Sequence, residues 1–335
     1  MFSFFKKKPA TGCITFNQKP IRSSWGGGNQ WLLNFVKFLE RNGYRVNYKL
    51  GKMSDCVFIV NSKGLVRGGI ARRRNHITFG LNDLREFKRK HGNVPCIHRI
   101  NDSDIHRGTN FIDDIFEDVN SLCEHTVFIS EWIFRYHSQK WWKNDRPYSI
   151  INGGADPGIF NPSGGNVWDK RMPFRIVTHH WSNNMAKGFT TYKELDDRIF
   201  EGLANGIEFY FIGNYPKEIK WRASKAISPL YGKQLADMLR KCHAYLTASK
   251  YEASGMHWIE GIQCGLPLIY SKSGGAIADA GKEYGVALDG DVVDAIVSIK
   301  ENYDYYRQKV LNNPPSSERT NKKYFEIIRR AVENN

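Results

Sequence analysis

Long apolar stretches are absent from this 335-residue chain. No run approaches the roughly twenty apolar residues that a membrane-crossing helix needs, and the first residues lack the apolar core and cleavage site of a secretory leader. A soluble or peripheral protein is expected. Cysteines are few and scattered: Cys13, Cys56, Cys96, Cys123, Cys242 and Cys264 form no close pairs, and most lie within apolar runs where a thiol behaves as a small hydrophobe. That spacing argues against a disulfide framework or a Cys-based metal motif, and for a reducing cytosol. Acidic residues are in deficit, 34 Asp and Glu against 49 Lys and Arg, for a formal charge of +15. Internal repeats, low-complexity tracts and a recognisable RNA- or DNA-binding motif are also missing, so the charge alone does not make a nucleic-acid protein. What remains is a globular composition, 41% hydrophobic, long enough for two domains with a core each.

The positive charge is lopsided. Residues 1–160 hold 25 Lys and Arg against 14 Asp and Glu, a net of +11, and residues 161–335 hold 24 against 20, a net of +4. Clusters at Lys6–Lys8, Arg72–Arg74 and Lys88–Lys90 suit an anionic membrane surface or an acidic acceptor, and equally suit solvated loops and helix faces. The opening Met1-Phe2-Ser3-Phe4-Phe5-Lys6-Lys7-Lys8 pairs aromatics with lysines as a short membrane foot would.

Short apolar strand candidates alternate with helical patterns: Gly12–Phe16, the helix Trp31–Glu40, Arg45–Tyr48, Cys56–Val60, the helix Leu81–Lys90, Pro95–Ile100, the helix Phe111–Cys123, Thr126–Ile129 and Tyr148–Ile151. This alternation predicts a parallel sheet covered by helices. Residues 156–172, rich in Asn, Gly and Pro, read as a linker. A second series follows: Phe174–Thr178, helix 192–203, Ile207–Ile212, helix 234–242, Ala244–Thr247, a helix holding Glu260, and Leu268–Tyr270. The patterns 292–311 and 324–332 read as closing helices. The expected division is 1–155, a linker 156–172, 173–320, and a last helix in 321–335. Open parallel sheets bind ligands beyond the carboxyl ends of their strands.

The most informative run is Tyr251-Glu252-Ala253-Ser254-Gly255-Met256-His257-Trp258-Ile259-Glu260-Gly261, followed by Cys264-Gly265-Leu266-Pro267. Ser254 and Gly255 are helix-starting residues, and a helix start leaves backbone N–H groups free for a phosphate. Glu260, placed two turns into that helix, can accept hydrogen bonds from vicinal hydroxyls such as those of a ribose, while Glu252 reaches a group at the helix mouth. An amphipathic helix with two solvated glutamates is the competing reading.

The segment resembles the signature of retaining GT-B glycosyltransferases of family 4: an acidic residue, a Gly-containing turn, a second acidic residue, then Cys-Gly-Leu-Pro before a strand. The likeness continues through Phe211-Ile212-Gly213-Asn214, Thr247-Ala248-Ser249, Ser273-Gly274-Gly275, His98-Arg99-Ile100-Asn101-Asp102, Val127-Phe128-Ile129-Ser130 and Ile151-Asn152-Gly153-Gly154. It implies two Rossmann-like doubly wound domains facing a central cleft, with the C-terminal helix crossing back to the first. It also implies transfer of a sugar from a UDP or GDP donor to a glycan, glycolipid or protein-linked acceptor.

In that frame Glu252 contacts the donor sugar, Glu260 holds the ribose, and Ser254, Gly255, Met256 and His257 offer the helix mouth to the diphosphate. Lys187, in a loop after a strand, is the cation for the leaving group. The family form has an Arg five residues before this Lys, where this chain has Ser182, so another group must supply that charge. Gly213 lies on the matched stretch, Gly26 and Gly27 precede the first helix and permit close approach of an anion, and the resemblance points His98 toward the donor sugar. Retention through front-face displacement is favoured, because no second carboxylate has glycosidase-like placement.

Asp102-Ser103-Asp104 is the one sequence that resembles the metal-binding triplet of the other large glycosyltransferase fold, and a metal-dependent transferase using Asp102 and Asp104 is kept as an alternative. His179-His180 has no partner at metal-ligand spacing. No metal, no cofactor beyond the nucleotide-sugar co-substrate and no nucleic-acid partner are expected. Location is expected to be cytoplasmic, with peripheral membrane contact left open. A binding module that has lost turnover is the remaining alternative, supported by Ser182.

Overall fold

The computed structural model describes residues 12–21, 26–66, 76–143 and 145–333. The Met1–Lys8 foot and the Arg72–Arg74 cluster lie outside the described residues. The chain divides into two compact units, residues 1–129 with 133–151 and 320–335, and residues 130–132 with 152–319.

The first unit runs β1 (Gly12–Phe16), α1 (Gly26–Arg41), β2 (Tyr44–Asn47), β3 (Cys56–Ile59), α2 (Ser62–Leu65), α3 (Leu81–Lys90), β4 (Cys96–Ile100), α4 (Asp104–Arg107), α5 (Ile112–Asn120), β5 (His125–Phe128), α6 (Glu131–Ser138) and β6 (Tyr148–Ile150). Its strands form one parallel sheet in the order β2-β1-β3-β4-β5-β6. β1, β3 and β4 are buried at every position, which is why they read as unbroken apolar runs rather than alternating ones. One face of the sheet packs Ile14, Phe16 and Phe58 against Trp31, Phe35 and Leu39 of α1.

The second unit runs β7 (Phe174–His180), a 3₁₀ turn (Met185–Lys187), α7 (Phe189–Phe200), β8 (Ile207–Gly213), β9 (Lys225–Ile227), α8 (Gly232–Leu239), β10 (Ala244–Thr247), α9 (Met256–Gln263), β11 (Leu268–Ser271), α10 (Ala276–Gly281), β12 (Gly285–Leu288), α11 (Val292–Glu301) and α12 (Tyr303–Asn312). The order β12-β11-β10-β7-β8-β9 is again parallel throughout. The connections reverse direction between β7 and β10. In a doubly wound sheet that reversal opens a crevice at the carboxyl ends of the two strands.

The last helix, α13 (Ser317–Glu333), belongs from Thr320 onward to the first unit. Tyr324 and Ile328 sit in that unit's core beside Trp31, Phe35 and Phe58. Arg99 lies 4.1 Å above the Trp31 ring and donates through Nε to the Tyr324 hydroxyl at 3.0 Å. Several expected boundaries shift, and the first helix starts at Gly26 rather than Trp31. Helix 292–311 is broken at Asn302 into α11 and α12, and β7 runs two residues past Thr178 to His180.

Candidate functional site

The switch point of the second unit gathers most of the residues singled out from the sequence. Glu252 follows β10 and is held by its backbone. Its N–H donates to the Gly274 carbonyl at 3.1 Å, and its own carbonyl accepts from Ala276 N–H at 2.8 Å. Gly275 makes this possible: its φ is +67, and a Cβ there would stand 2.6 Å from the Glu252 carbonyl oxygen. Tyr251, just before, takes φ +54, a left-handed conformation that non-glycine residues adopt at a cost. A strained turn and a glycine together aim a buried carboxylate, with Glu252 only 4% exposed.

That carboxylate meets a cation. Glu252 Oε1 accepts from Lys187 Nζ. Lys187 ends the 3₁₀ turn, whose start is capped by Asn184 Oδ1 accepting from Ala186 N–H at 2.9 Å. Gly188 follows at φ +92 and packs so close to Ala248 that a Cβ would lie 2.4 Å from the alanine methyl. The β10 end and the Lys187 loop are also tied by Lys250 N–H donating to the Ala186 carbonyl at 2.9 Å.

Ser254 and Gly255 do precede a helix, but α9 begins at Met256, so Glu260 lies just over one turn in rather than two. Gly255, the N-cap, takes φ +74 and makes no side-chain capping bond, so among the described residues the first-turn N–H groups stand as donors at the helix mouth. Glu260 Oε2 lies 2.9 Å from His179 Nε2. His257 Nε2 lies 3.1 Å from Thr247 Oγ1, and desolvation pushes this imidazole down to about 3. Beneath it His180 is buried against the Tyr192 hydroxyl at 2.8 Å, and burial holds it well below the usual histidine range. Both rings are therefore neutral at physiological pH and carry dipoles rather than charge.

A cavity of about 490 Å³ opens at the carboxyl end of β8, lined by Gly213 together with Trp181, Asn183, Asn214, Tyr215, Lys217 and residues 226–229. Gly213 takes φ +131, and a Cβ on it would sit 1.9 Å from the His180 carbonyl oxygen, so only glycine lets β8 turn there. Ser182 is not on this lining. Its Oγ accepts from Asn184 N–H at 3.2 Å.

The other candidates belong to the first unit. His98 is fully buried on β4. Asn120 Nδ2 donates to its Nδ1 at 3.1 Å, which leaves the proton on Nε2 facing Ser62 Oγ at 2.5 Å. Burial pushes His98 down to about 3, so it is a neutral core residue with both nitrogens spent. Gly26 and Gly27 form the first turn of α1 rather than a loop before it.

Asp102 and Asp104 are also spent. Asp102 is 2% exposed and accepts from Lys63 Nζ at 2.5 Å, His106 Nδ1 at 2.8 Å and Arg107 Nε at 2.7 Å. Against the opposing cost of burial, these partners hold its carboxyl well below the usual range. Asp104 accepts from Thr109 Oγ1 at 2.6 Å and from the N–H groups of Phe111, Ile112 and Asp113 at 3.0, 2.9 and 3.3 Å. Their lone pairs go to protein donors. In α3, Lys88 and Lys90 pair with Glu124 at 2.6 Å and Glu86 at 2.5 Å. The six cysteines are free and buried. Among the described residues, no helix is long and apolar enough to cross a membrane, and no group of three or more His, Cys, Asp or Glu could hold a metal ion.

No family model and no curated protein matches the chain. Solved structures do. The chain is similar to sucrose-phosphate synthase from Thermosynechococcus elongatus, at 13% identity and a TM-score of 0.66 over 97% of this chain and 100% of that one. It is similar to HepE of Anabaena in complex with UDP and glucose, at 12% identity and a TM-score of 0.62 over 94% and 98%. A third neighbour is a glycosyltransferase from Rickettsia africae, at 14% identity and a TM-score of 0.62 over 97% and 99%. The chain has the GT-B fold. Within this GT-B chain, sequence reading missed His179, Tyr245, Trp181, Tyr215 and Lys217. The paired histidines at 179–180 were a signal, but with β7 ended at Thr178 they fell in a loop instead of on the strand that aims them.

Proposed function

We propose that the chain is a retaining glycosyltransferase that moves a sugar from a UDP or GDP donor to a glycan, glycolipid or protein-linked acceptor without a metal. The observation that carries this is the Lys187–Glu252 pair beside the uncapped start of α9, with Glu260 one turn further on. In this reading the diphosphate lies at the first-turn N–H groups of Met256 and His257, where the helix dipole favours an anion. Lys187 Nζ turns from Glu252 to the phosphate and takes up charge as the anomeric C–O bond breaks. Glu252, released from that cation, faces the sugar and stabilises positive charge developing on the ring. Glu260 receives the ribose hydroxyls, and the cavity with Trp181 and Tyr215 suits a flat base.

The leaving phosphate oxygen takes the acceptor's proton as the new bond forms on the same face, so no second carboxylate is needed. Lys217, on the cavity wall, supplies the positive charge absent at Ser182. His98 is left out of the chemistry because neither nitrogen is free. Asp102 and Asp104 are left out of metal binding because protein donors fill their lone pairs. The enzyme works in the cytoplasm, and any membrane contact is peripheral. The complex of HepE with UDP and glucose is in keeping with such a donor.

A panel of UDP- and GDP-sugars, read by nucleoside diphosphate release, tests the reading. Wild type consumes a donor and Glu252→Gln does not. A protein that binds donors but consumes none even with acceptors present would be a binding module instead.

A further inference from the structure

His179 and Tyr245 have no place in the reaction above, yet they control one of its groups. His179 is the next-to-last residue of β7, and Tyr245 lies in β10, the two strands that flank the switch point. The backbone N–H of His179 donates to the Tyr245 hydroxyl oxygen at 3.0 Å, and that hydroxyl lies 3.0 Å from His179 Nδ1. The hydroxyl has two acceptors in reach, the His179 carbonyl at 3.4 Å and the closer Nδ1, and because the Glu260 carboxylate can only accept, the ring donates through Nε2 and turns Nδ1 to the hydroxyl. This fixes the imidazole proton on Nε2, which donates to Glu260 Oε2 at 2.9 Å. The chain of donors runs one way, from backbone to tyrosine to histidine to carboxylate.

The consequence falls on Glu260. A glutamate on a helix surface samples several rotamers, and ordering them on ligand binding costs affinity. Here one carboxylate oxygen is already held, the side chain is 14% exposed, and Oε1 has no hydrogen-bond partner among the described residues. Tyr245 is itself immobile: it is fully buried, and Gly261 packs against its ring so closely that a Cβ would lie 2.4 Å away. The anchor is thus as rigid as the core.

We propose that His179, set by Tyr245, is a positioning residue that holds Glu260 for two vicinal hydroxyls and so makes the site select ribonucleotides over 2′-deoxyribonucleotides. This rests on the donor-binding reading above. A hydroxyl donating to a fixed carboxylate is a charge-assisted bond, and its loss in a deoxyribose lowers affinity by about tenfold or more. With Glu260 unanchored, the ribose loses most of that advantage and the deoxyribose loses nothing.

Calorimetric titration of the full chain with UDP, 2′-deoxy-UDP, GDP and 2′-deoxy-GDP separates the outcomes. Wild type is expected to favour the ribonucleotide by about tenfold or more in at least one base series. His179→Phe keeps the ring packing, removes the donor and brings the ratio near one with deoxyribonucleotide affinity unchanged. His179→Gln places an amide N–H near the Nε2 position and retains most of the ratio. His179→Asn, too short to reach Glu260, serves in place of the phenylalanine variant if that protein does not fold. A His179→Phe or His179→Asn protein that keeps the wild-type ratio overturns the proposal, as does an equal loss of both ligands, which would mark His179 as a packing residue only. Wild type that binds none of the four overturns the donor reading and this inference with it.

Discussion

Two carboxylate centres follow parallel strands at comparable places in the two units, and they are built to opposite ends. Asp102, after β4, faces three donors from Lys63, His106 and Arg107 at 2.5–2.8 Å. Glu252, after β10, pairs with Lys187 just before a helix whose N-cap glycine makes no side-chain cap, and Glu260 Oε1 has no hydrogen-bond partner among the described residues. A buried charge surrounded by donors is neutralised and becomes a fold element. A buried carboxylate paired with a lysine beside a helix start stands where an anion and its counter-charge would both find partners. Burial is alike in the two centres, so what distinguishes them is the set of neighbours.

The sharpest way to break this contrast is to neutralise one carboxylate in each unit. Glu252→Gln is expected to lower donor turnover by about 10²–10³-fold, the scale of a lost transition-state electrostatic contact, with folding retained. Asp102→Asn is expected to leave turnover per folded molecule unchanged and to cost about 3 kcal/mol in denaturant unfolding, the low end for a broken buried pair because Arg107 is half exposed. Exchanged effects, with Asp102→Asn abolishing turnover, would put the chemistry in the first unit.

Gly188→Ala probes how tightly the Lys187 loop is held. Its φ of +92 and the 2.4 Å approach to Ala248 predict a stability loss of about 2–3 kcal/mol together with weakened nucleotide binding. A variant as stable and active as wild type would mean that the loop is not fixed where Lys187 needs it.

Acid titration sharpens the comparison in the first unit. His98 is held down to about 3, whereas an unfolded histidine binds its proton near 6.5, so below pH 6.5 the unfolded chain takes up the proton first. Stability is therefore full above that pH and falls by about 1.4 kcal/mol per pH unit for each such histidine, down toward pH 3. Asp102, also lowered, adds a further loss only below about pH 4. Unfolding free energies at pH 7 and pH 5 check this, and His98→Gln is expected to flatten the slope by one histidine's share.

Lys217→Ala carries the smallest expected effect, a several-fold rise in the Kd for nucleoside diphosphates, the scale of one partly solvated charge. An unchanged Kd would remove Lys217 as the substitute for the arginine absent at Ser182.

Much of the fold was legible because parallel strands buried on both faces give short apolar runs, as in Cys96–Ile100 and Ala244–Thr247. The Glu252–Glu260 run was legible for another reason: it lies in one local turn and helix. What stayed hidden was short or long-range. β9 is three residues at a sheet edge, with Lys225 and Ala226 exposed and only Ile227 partly buried, too short a run to carry a strand signal. Gly26–Gly28 open α1 although glycine disfavours helices, which moved the expected start to Trp31. His98 looked available because a strand-end histidine reveals nothing of Ser62 and Asn120, 36 and 22 residues away. Tyr245 and His179, 66 residues apart, meet only once β7 and β10 are neighbours.

The central claim is that Lys187, Glu252, the first turn of α9 and Glu260 together hold a nucleoside diphosphate. A crystal structure of the chain soaked with UDP or GDP tests it most directly. The account predicts phosphate oxygens within hydrogen-bond distance of Lys187 Nζ and of the N–H groups of Met256 or His257, with both ribose hydroxyls on Glu260. Nucleotide density anywhere else, with the Lys187–Glu252 pair left closed, would contradict it.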